Sequence, residues 1–259
     1  MTTGRFVRIR LDGAPTWGRI EGGSIHLLGA APWKEGARPT GREVPLEGAS
    51  LLAPASPTKI VAIGRNYRAH AQELGNAPPP EPLLFFKPPS SVVGPGDAIQ
   101  LPPESEQVEH EGELAVVVGR RARRVRAADA MEFVFGITCA NDVTARDLQK
   151  KDGQWTRAKG FDTFCPLGPV LASGLDPGDR TVVTRVGGVE RQRGRTSSLS
   201  FPVPVLVEYV SRVMTLEAGD VILTGTPAGV ARLWPGDVVE VEIDEVGILS
   251  NRVEAATIG

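Results

Sequence analysis

Cysteine is almost missing from this chain of 259 residues, which has two, Cys139 and Cys165. They lie far apart, form no metal-type spacing and sit among apolar residues, so a disulfide framework is excluded and two buried, inert thiols are expected. Histidine is nearly as scarce, at three (His26, His70 and His110), which leaves few positions for imidazole chemistry. No apolar run is long enough to span a bilayer, and the start, Met-Thr-Thr-Gly-Arg-Phe, lacks the basic-then-apolar layout of a signal peptide. A cytoplasmic protein without a membrane partner is the expectation. Excess charge is absent too: the formal net charge is -2, and the one arginine-rich run, Arg120 to Arg126, reads as a solvated turn after a strand. No nucleic-acid partner is therefore expected. Rossmann and Walker fingerprints are also lacking. What remains, 41% hydrophobic and 23% charged residues, suits a globular protein with one sizeable core and a small appended unit.

The stretch that organises the rest is His110 to Gly119, HEGELAVVVG. Glu111 and Glu113 are two apart, and a strand turns positions i and i+2 to one face, with Gly112 leaving the opposite face nearly bare. Paired acids of this kind are most often the solvated side of an amphipathic strand. Here the strand continues as Leu-Ala-Val-Val-Val, apolar on both faces and so buried, which points the acids into a cavity where unpaired charge is costly. The next apolar run, Phe135 to Ala140, ends in Asn141-Asp142 and brings a third carboxylate to a strand end. Three hard oxygen ligands suit magnesium or manganese; without cysteine or histidine they disfavour zinc.

From Phe6 to Leu28, short alternating runs broken by Asp12-Gly13 and Gly22-Gly23 read as a β meander. Residues 30–57, dense in proline, glycine and alanine, read as a linker. Lys59 to Ile63 follows as a buried strand, Gly64-Arg65 as a turn, and Asn66 to Gly75 as a short helix with Asn66 as its N-cap. That helix makes His70 and Glu73 neighbours, a histidine–carboxylate pair able to serve as a general base, although a lone histidine is more often structural. Leu83 to Phe86 reads as another buried strand delivering Lys87, which is either an anion ligand or a surface lysine. After Asp142 a helix begins that carries Arg146, and Gln149 to Arg157 reads as a polar, mobile loop able to act as a lid. Lys159 leaves that loop between small residues, where a charge can approach a ligand closely. The last third is rich in strands, with a helix over Pro202 to Val213 and a Thr224-Gly-Thr-Pro loop whose hydroxyls and N–H groups, Thr226 among them, could cradle a carboxylate. Many short strands and few helices define a β-rich α+β fold.

The motifs GRNYRAHAQELG, FFKP, HEGELAVVVG, NDVTARD, WTRAKGFDTFCPLGP, MTLEAGDVILTGTPAGV and PGDVVEVEI together resemble the fumarylacetoacetate hydrolase family, from about Lys59 to the end. The resemblance implies a mixed β-sandwich roll or partly closed barrel, with residues 1–55 as a small N-terminal β-rich domain with linker and 56–259 as the catalytic domain. It implies a homodimer, a divalent metal (Mg2+ or Mn2+) and a 2-oxo or enol dicarboxylate as substrate. Glu111, Glu113 and Asp142 fall on the family's metal ligands, His70 and Glu73 on its proton-moving unit, and Lys159 on the lysine that stabilises a developing enolate. Asn66, Tyr67, Lys87, Arg146 and Thr226 match positions near the substrate. The family's true fumarylacetoacetases carry a further aspartate upstream of the histidine, where this chain has Ile63-Gly-Arg-Asn. The likeness is thus to the short bacterial members: 2-hydroxyhepta-2,4-diene-1,7-dioate isomerases first, from aromatic-compound catabolism, then the 5-oxopent-3-ene-1,2,5-tricarboxylate and oxaloacetate decarboxylases and the acylpyruvate hydrolases. All would share an enolate next to a 2-oxo group and differ only in the later step. A non-catalytic, metal-dependent dicarboxylate-binding protein is the rival of another class.

Overall fold

The computed structural model describes residues 3–256. Its centre is the strand Gly112–Val118, buried at every position. Its β-branched run is shielded on both sides, and the alternation sorts it: Leu114, Val116 and Val118 enter one apolar cluster with the helix Val203–Val213, while Ala115 and Val117 enter another with Ala140, Leu167 and Leu223. This strand lies inside a twelve-stranded sheet. Val134–Asn141 flanks it antiparallel on one side and Val221–Leu223 on the other, and the sheet continues through Ile60–Gly64, joined in parallel, to Leu83–Lys87 at the edge. In the other direction Cys165–Ser173 pairs with Gly4–Leu11, so the N-terminal meander is hydrogen-bonded into the same sheet.

A second sheet of five strands, built on the hairpins Thr181–Val186/Val189–Arg195 and Val238–Ile243/Gly247–Ala255, packs over the Leu114 face. None of the sheets among the described residues closes into a barrel, and the architecture is a strand-rich, mixed α+β sandwich. The approach of the two sheets explains Gly112: a Cβ there would stand 1.9 Å from Thr184 Oγ1 and 3.3 Å from Val241 Cγ2. The face opposite Glu111 and Glu113 is bare of side chain because the second sheet fills it.

Four local expectations need correction. Residues 30–57 are not only linker: Pro39–Pro45 pairs with Ser24–Leu28, and Leu51–Leu52 with Gly4–Leu11. Pro39–Pro45 is exposed along nearly its whole length, so no apolar alternation announces it. Leu83–Lys87 is an edge strand with Leu83 and Phe86 exposed, rather than a buried one. Asn66 does not cap a helix; the helix is Arg68–Glu73, preceded by Tyr67. Gln149 to Arg157 is a loop only over residues 153–155; the rest belongs to two short helices, Arg146–Asp152 and Thr156–Gly160, with Gly153 between them in the left-handed region (φ 72°). Lysine and glutamine favour helix, and this helical start lets Arg146 and Gln149 share one face.

Candidate active site

Two neighbouring strands bring three carboxylates together. In their antiparallel register Gly112 faces Asn141, and the Asp142 N–H donates to the Glu111 carbonyl at 2.8 Å. The Asn141 side chain accepts from the Glu111 N–H at 2.9 Å, which fixes the strand mouths against each other. Glu111, Glu113 and Asp142, all buried, thereby offer ligand oxygens within 4.8 Å of one another. Cations close the shell. Lys159 Nζ donates to Glu111 Oε2 at 2.8 Å and to Asp142 Oδ2 at 2.5 Å. Arg146 donates through Nε to Glu109 Oε2 at 2.7 Å, through Nη1 to Gln149 Oε1 at 2.6 Å, and through Nη2 to Glu111 Oε1. Lys87 is no surface lysine: it is 1% exposed, stands 2.7 Å from Asp142 Oδ1 and donates to the Val143 carbonyl at 3.1 Å.

The three carboxylates are not equivalent. Burial pushes Glu111 up, but Lys159, Arg146 and His70 more than offset it and hold this carboxyl below the usual range. Glu113 goes the other way, pushed well above its ordinary value by burial and by the charges of Asp142 and Glu111; its main relief is the Gly225 N–H, donated at 2.6 Å. Burial lowers Lys159, yet Asp142 and Glu111 raise it further, so it stays an ammonium. Asp142 Oδ1 is buried and accepts no hydrogen bond among the described residues, because Lys87, though at ion-pair distance, is not aligned with it. An under-satisfied oxygen and a carboxyl pushed up by its neighbours, both in an all-oxygen donor set, fit a divalent hard cation.

Beside the triad lies a cavity lined by His70, Glu111, Glu113, Arg146, Lys159 and Thr226 among the residues singled out from sequence. His70 Nδ1 is 3.3 Å from Glu73 Oε2, and Glu73 Oε1 accepts from the Gly229 N–H at 2.9 Å, so the carboxylate is itself anchored. Thr226 Oγ1 donates to the Gly112 carbonyl at 2.8 Å. Asn66, Tyr67, Lys87 and Asp142 do not line this cavity. The Asn66 amide is spent on backbone, donating to Phe201 and Thr224 at 3.0 and 2.8 Å and accepting from Phe201 at 2.8 Å. Tyr67 is buried, its hydroxyl pushed above its ordinary value by burial and by Glu113. Both cysteines are free and buried; burial pushes Cys165 up to about 12 and Cys139 higher still, which leaves no thiolate at neutral pH.

Three contributors escape a reading of the sequence. Gln192, 1% exposed, accepts from the Gly112 N–H at 3.0 Å, contacts His110 Nδ1 at 3.0 Å and donates to Thr226 Oγ1 and the Pro227 carbonyl at 2.7 Å. One amide thus ties the second sheet to the mouth of the acidic strand. Its hairpin strand is otherwise largely exposed, so only tertiary pairing distinguishes it. Arg65 and Trp155 also line the cavity; they come from a turn and from a segment that reads as a polar loop.

Residues 59–254 match the model of the fumarylacetoacetate (FAA) hydrolase C-terminal family, and residues 5–54 that of an Rv2993c-like N-terminal family. The chain belongs to the fumarylacetoacetate hydrolase family. Among solved structures it is similar to a 2-hydroxyhepta-2,4-diene-1,7-dioate isomerase from Mycobacterium marinum, with a TM-score of 0.91 and 42% identity over 98% of this chain and 100% of that one. The 5-carboxymethyl-2-hydroxymuconate delta-isomerase from Mycobacterium smegmatis gives a TM-score of 0.91 and 45% identity over 97% and 100%. Oxaloacetate tautomerase YisK of Bacillus subtilis (strain 168) is 45% identical over 75% of this chain and 69% of that protein.

Proposed function

We propose that the protein is a metal-dependent isomerase that interconverts enol and keto forms of 2-oxo dicarboxylic acids, with a 2-hydroxyhepta-2,4-diene-1,7-dioate-type or oxaloacetate-type substrate. One observation carries this reading: Glu111 and Glu113 of the acidic triad, Lys159, and His70 backed by Glu73 all line a single cavity. A charge-stabilising centre and a proton-transfer unit share the same space. Relatives called isomerase and oxaloacetate tautomerase favour proton relocation over C–C cleavage.

Glu111, Glu113 and Asp142 would hold magnesium or manganese, which supplies Lewis-acid polarisation of a 2-oxo group and its neighbouring carboxylate. Lys159, buried and fixed by two of those carboxylates, adds a positive charge where the enolate oxygen develops. With Nδ1–H directed at Glu73, His70 presents Nε2 as the nitrogen that takes a proton from the carbon next to the 2-oxo group and returns it to the enol oxygen or along the diene. Arg146 and Thr226 line the cavity and orient the substrate; Asn66, Tyr67 and Lys87 act behind it, Lys87 through Asp142 and Asn66 by pinning the turn before the helix. The test follows enol absorbance, carbon dioxide and pyruvate separately for both substrate types, with magnesium and after EDTA. Metal-dependent loss of enol without matching carbon dioxide or cleavage product is expected. Cleavage or decarboxylation that keeps pace with enol loss, or full activity after EDTA, overturns the reading.

A further inference from the structure

The other cationic side chains of this cavity are engaged. Lys159 is taken by Glu111 and Asp142, and Arg146 by Glu109 and Glu111. Arg65 differs, since it lines the cavity and both clefts that border it, yet pairs with no carboxylate among the described residues. Depth follows from exposure: Glu111, Glu113 and Lys159 are at most 5% exposed, whereas Arg65 is half-buried. The carboxylates form the floor, and the guanidinium stands at the outer end.

Its placement is built. Arg65 has φ 58°, a left-handed conformation that costs a residue with a side chain roughly 1 kcal/mol or more. Neighbours on both sides hold it there. Asn66 is pinned to Phe201 and Thr224 by its amide, and Gly64 lies so close to Trp155 that a Cβ would stand 2.8 Å from the indole. The Trp155 ring packs edge-on against Phe85 at 5.0 Å and has the Arg65 guanidinium 5.8 Å from its centroid. A planar cation steadied by an aromatic ring, with its fork of donors unspent, is suited to a carboxylate.

We propose that Arg65 receives the far carboxylate of the substrate, so that the cavity selects dicarboxylic 2-oxo acids over monocarboxylic ones. The inference rests on the isomerase reading for the inner end of the substrate and adds the group that reads its outer end. The test is calorimetric titration of the magnesium-loaded protein with 2-oxoglutarate, 2-oxobutyrate and oxalate, for wild type, Arg65→Gln and Arg65→Lys. Wild type should prefer 2-oxoglutarate to 2-oxobutyrate. Arg65→Gln should weaken 2-oxoglutarate by roughly 10- to 100-fold, the scale of one charge-assisted pair, and leave 2-oxobutyrate, oxalate and magnesium affinities as they were; Arg65→Lys should recover part of the loss. Equal weakening of all three ligands, or no weakening of 2-oxoglutarate, overturns the assignment. A wild type that discriminates in binding but turns over no enol would overturn the isomerase reading and leave Arg65 its role, so the two failures are distinct.

Discussion

His70 and Lys159 occupy opposite kinds of environment, and the proposed chemistry divides between them. His70 has a carboxylate partner and open cavity, whereas Lys159 is locked between two carboxylates at the cavity floor. Decarboxylation of an oxaloacetate-type substrate needs an electron sink but no base, while proton relocation needs both. His70→Ala should therefore lower isomerisation by roughly two orders of magnitude or more while some decarboxylation survives. Lys159→Ala should depress every route, and since it leaves buried carboxylates unpaired, Lys159→Arg serves as the variant that keeps the charge. Side-by-side rates on both substrate types check this; a His70→Ala protein that loses all activities in equal proportion contradicts the division. Much at this scale was legible in the sequence. The i, i+2 spacing predicts Glu111 and Glu113 on one face, and the i, i+3 spacing predicts the His70–Glu73 contact, because strand and helix periods fix those directions locally. Gln192 and Arg65 were not legible: one reaches Gly112 from a strand of the second sheet, 80 residues further along the chain, and the other stands in a left-handed conformation that the sequence does not mark.

At the scale of elements, two joints can be tested. The first is the approach of the second sheet to Gly112. Gly112→Ala should destabilise the protein by about 1–3 kcal/mol, the usual cost of overpacking, because the new Cβ meets Thr184 Oγ1. Thr184 Oγ1 is buried without a hydrogen-bond partner among the described residues, so Thr184→Ala gives up no bond seen there and should restore much of the stability when combined with Gly112→Ala. Denaturant unfolding of the two single variants and the double variant reads this directly, and a double variant no more stable than Gly112→Ala refutes it. The second joint is Asp220, which ties the parallel strands Ile60–Gly64 and Val221–Leu223. Its Oδ1 accepts from Thr58 N at 3.0 Å, Thr58 Oγ1 at 2.7 Å and Lys59 N at 3.1 Å; its Oδ2 accepts from Glu217 N at 2.7 Å and pairs with Lys59 Nζ. Burial raises this carboxyl, but the bonds from Lys59, Glu217 and Thr58 outweigh it and hold it below its ordinary value. A depressed carboxyl stabilises the fold above the unfolded-state value of about 3.9, and that contribution is lost as pH falls through the folded-state value. Asp220→Asn should accordingly cost roughly 1–3 kcal/mol at pH 7, and the gap to wild type should close as the pH drops below about 4. A gap independent of pH would remove the charge from the explanation. Hairpins and the Val203–Val213 helix could be anticipated from turn dipeptides and apolar spacing. Pro39–Pro45 and the exposure of Leu83–Lys87 could not, since an edge position is a property of the assembled sheet.

For the molecule as a whole, the acidic triad sets stability against function. Three buried carboxylates whose oxygens lie within 4.8 Å of one another repel at short range where screening by water is weak. Lys159 and Lys87 offset part of that repulsion, and neither makes an ion pair with Glu113. The metal-free fold should carry this cost, and a cation that binds only the folded chain should remove it by mass action. At a free metal concentration a hundred times its dissociation constant the gain is about 2.7 kcal/mol, which for a chain of this size shifts the melting temperature upward by roughly 5–10 °C. Glu113→Gln separates the two effects. It deletes one repelling charge while keeping an oxygen that can accept from Gly225, so the metal-free variant should melt no lower than the metal-free wild type. It should also lose the shift with magnesium or manganese, and with it turnover. Thermal melts of both proteins with EDTA and across a magnesium series, with calorimetry of metal binding alongside, make the comparison. A wild-type melting temperature that ignores millimolar magnesium and manganese, or a metal-free Glu113→Gln that melts well below wild type, would show that these carboxylates are held together by the fold for some purpose other than a cation.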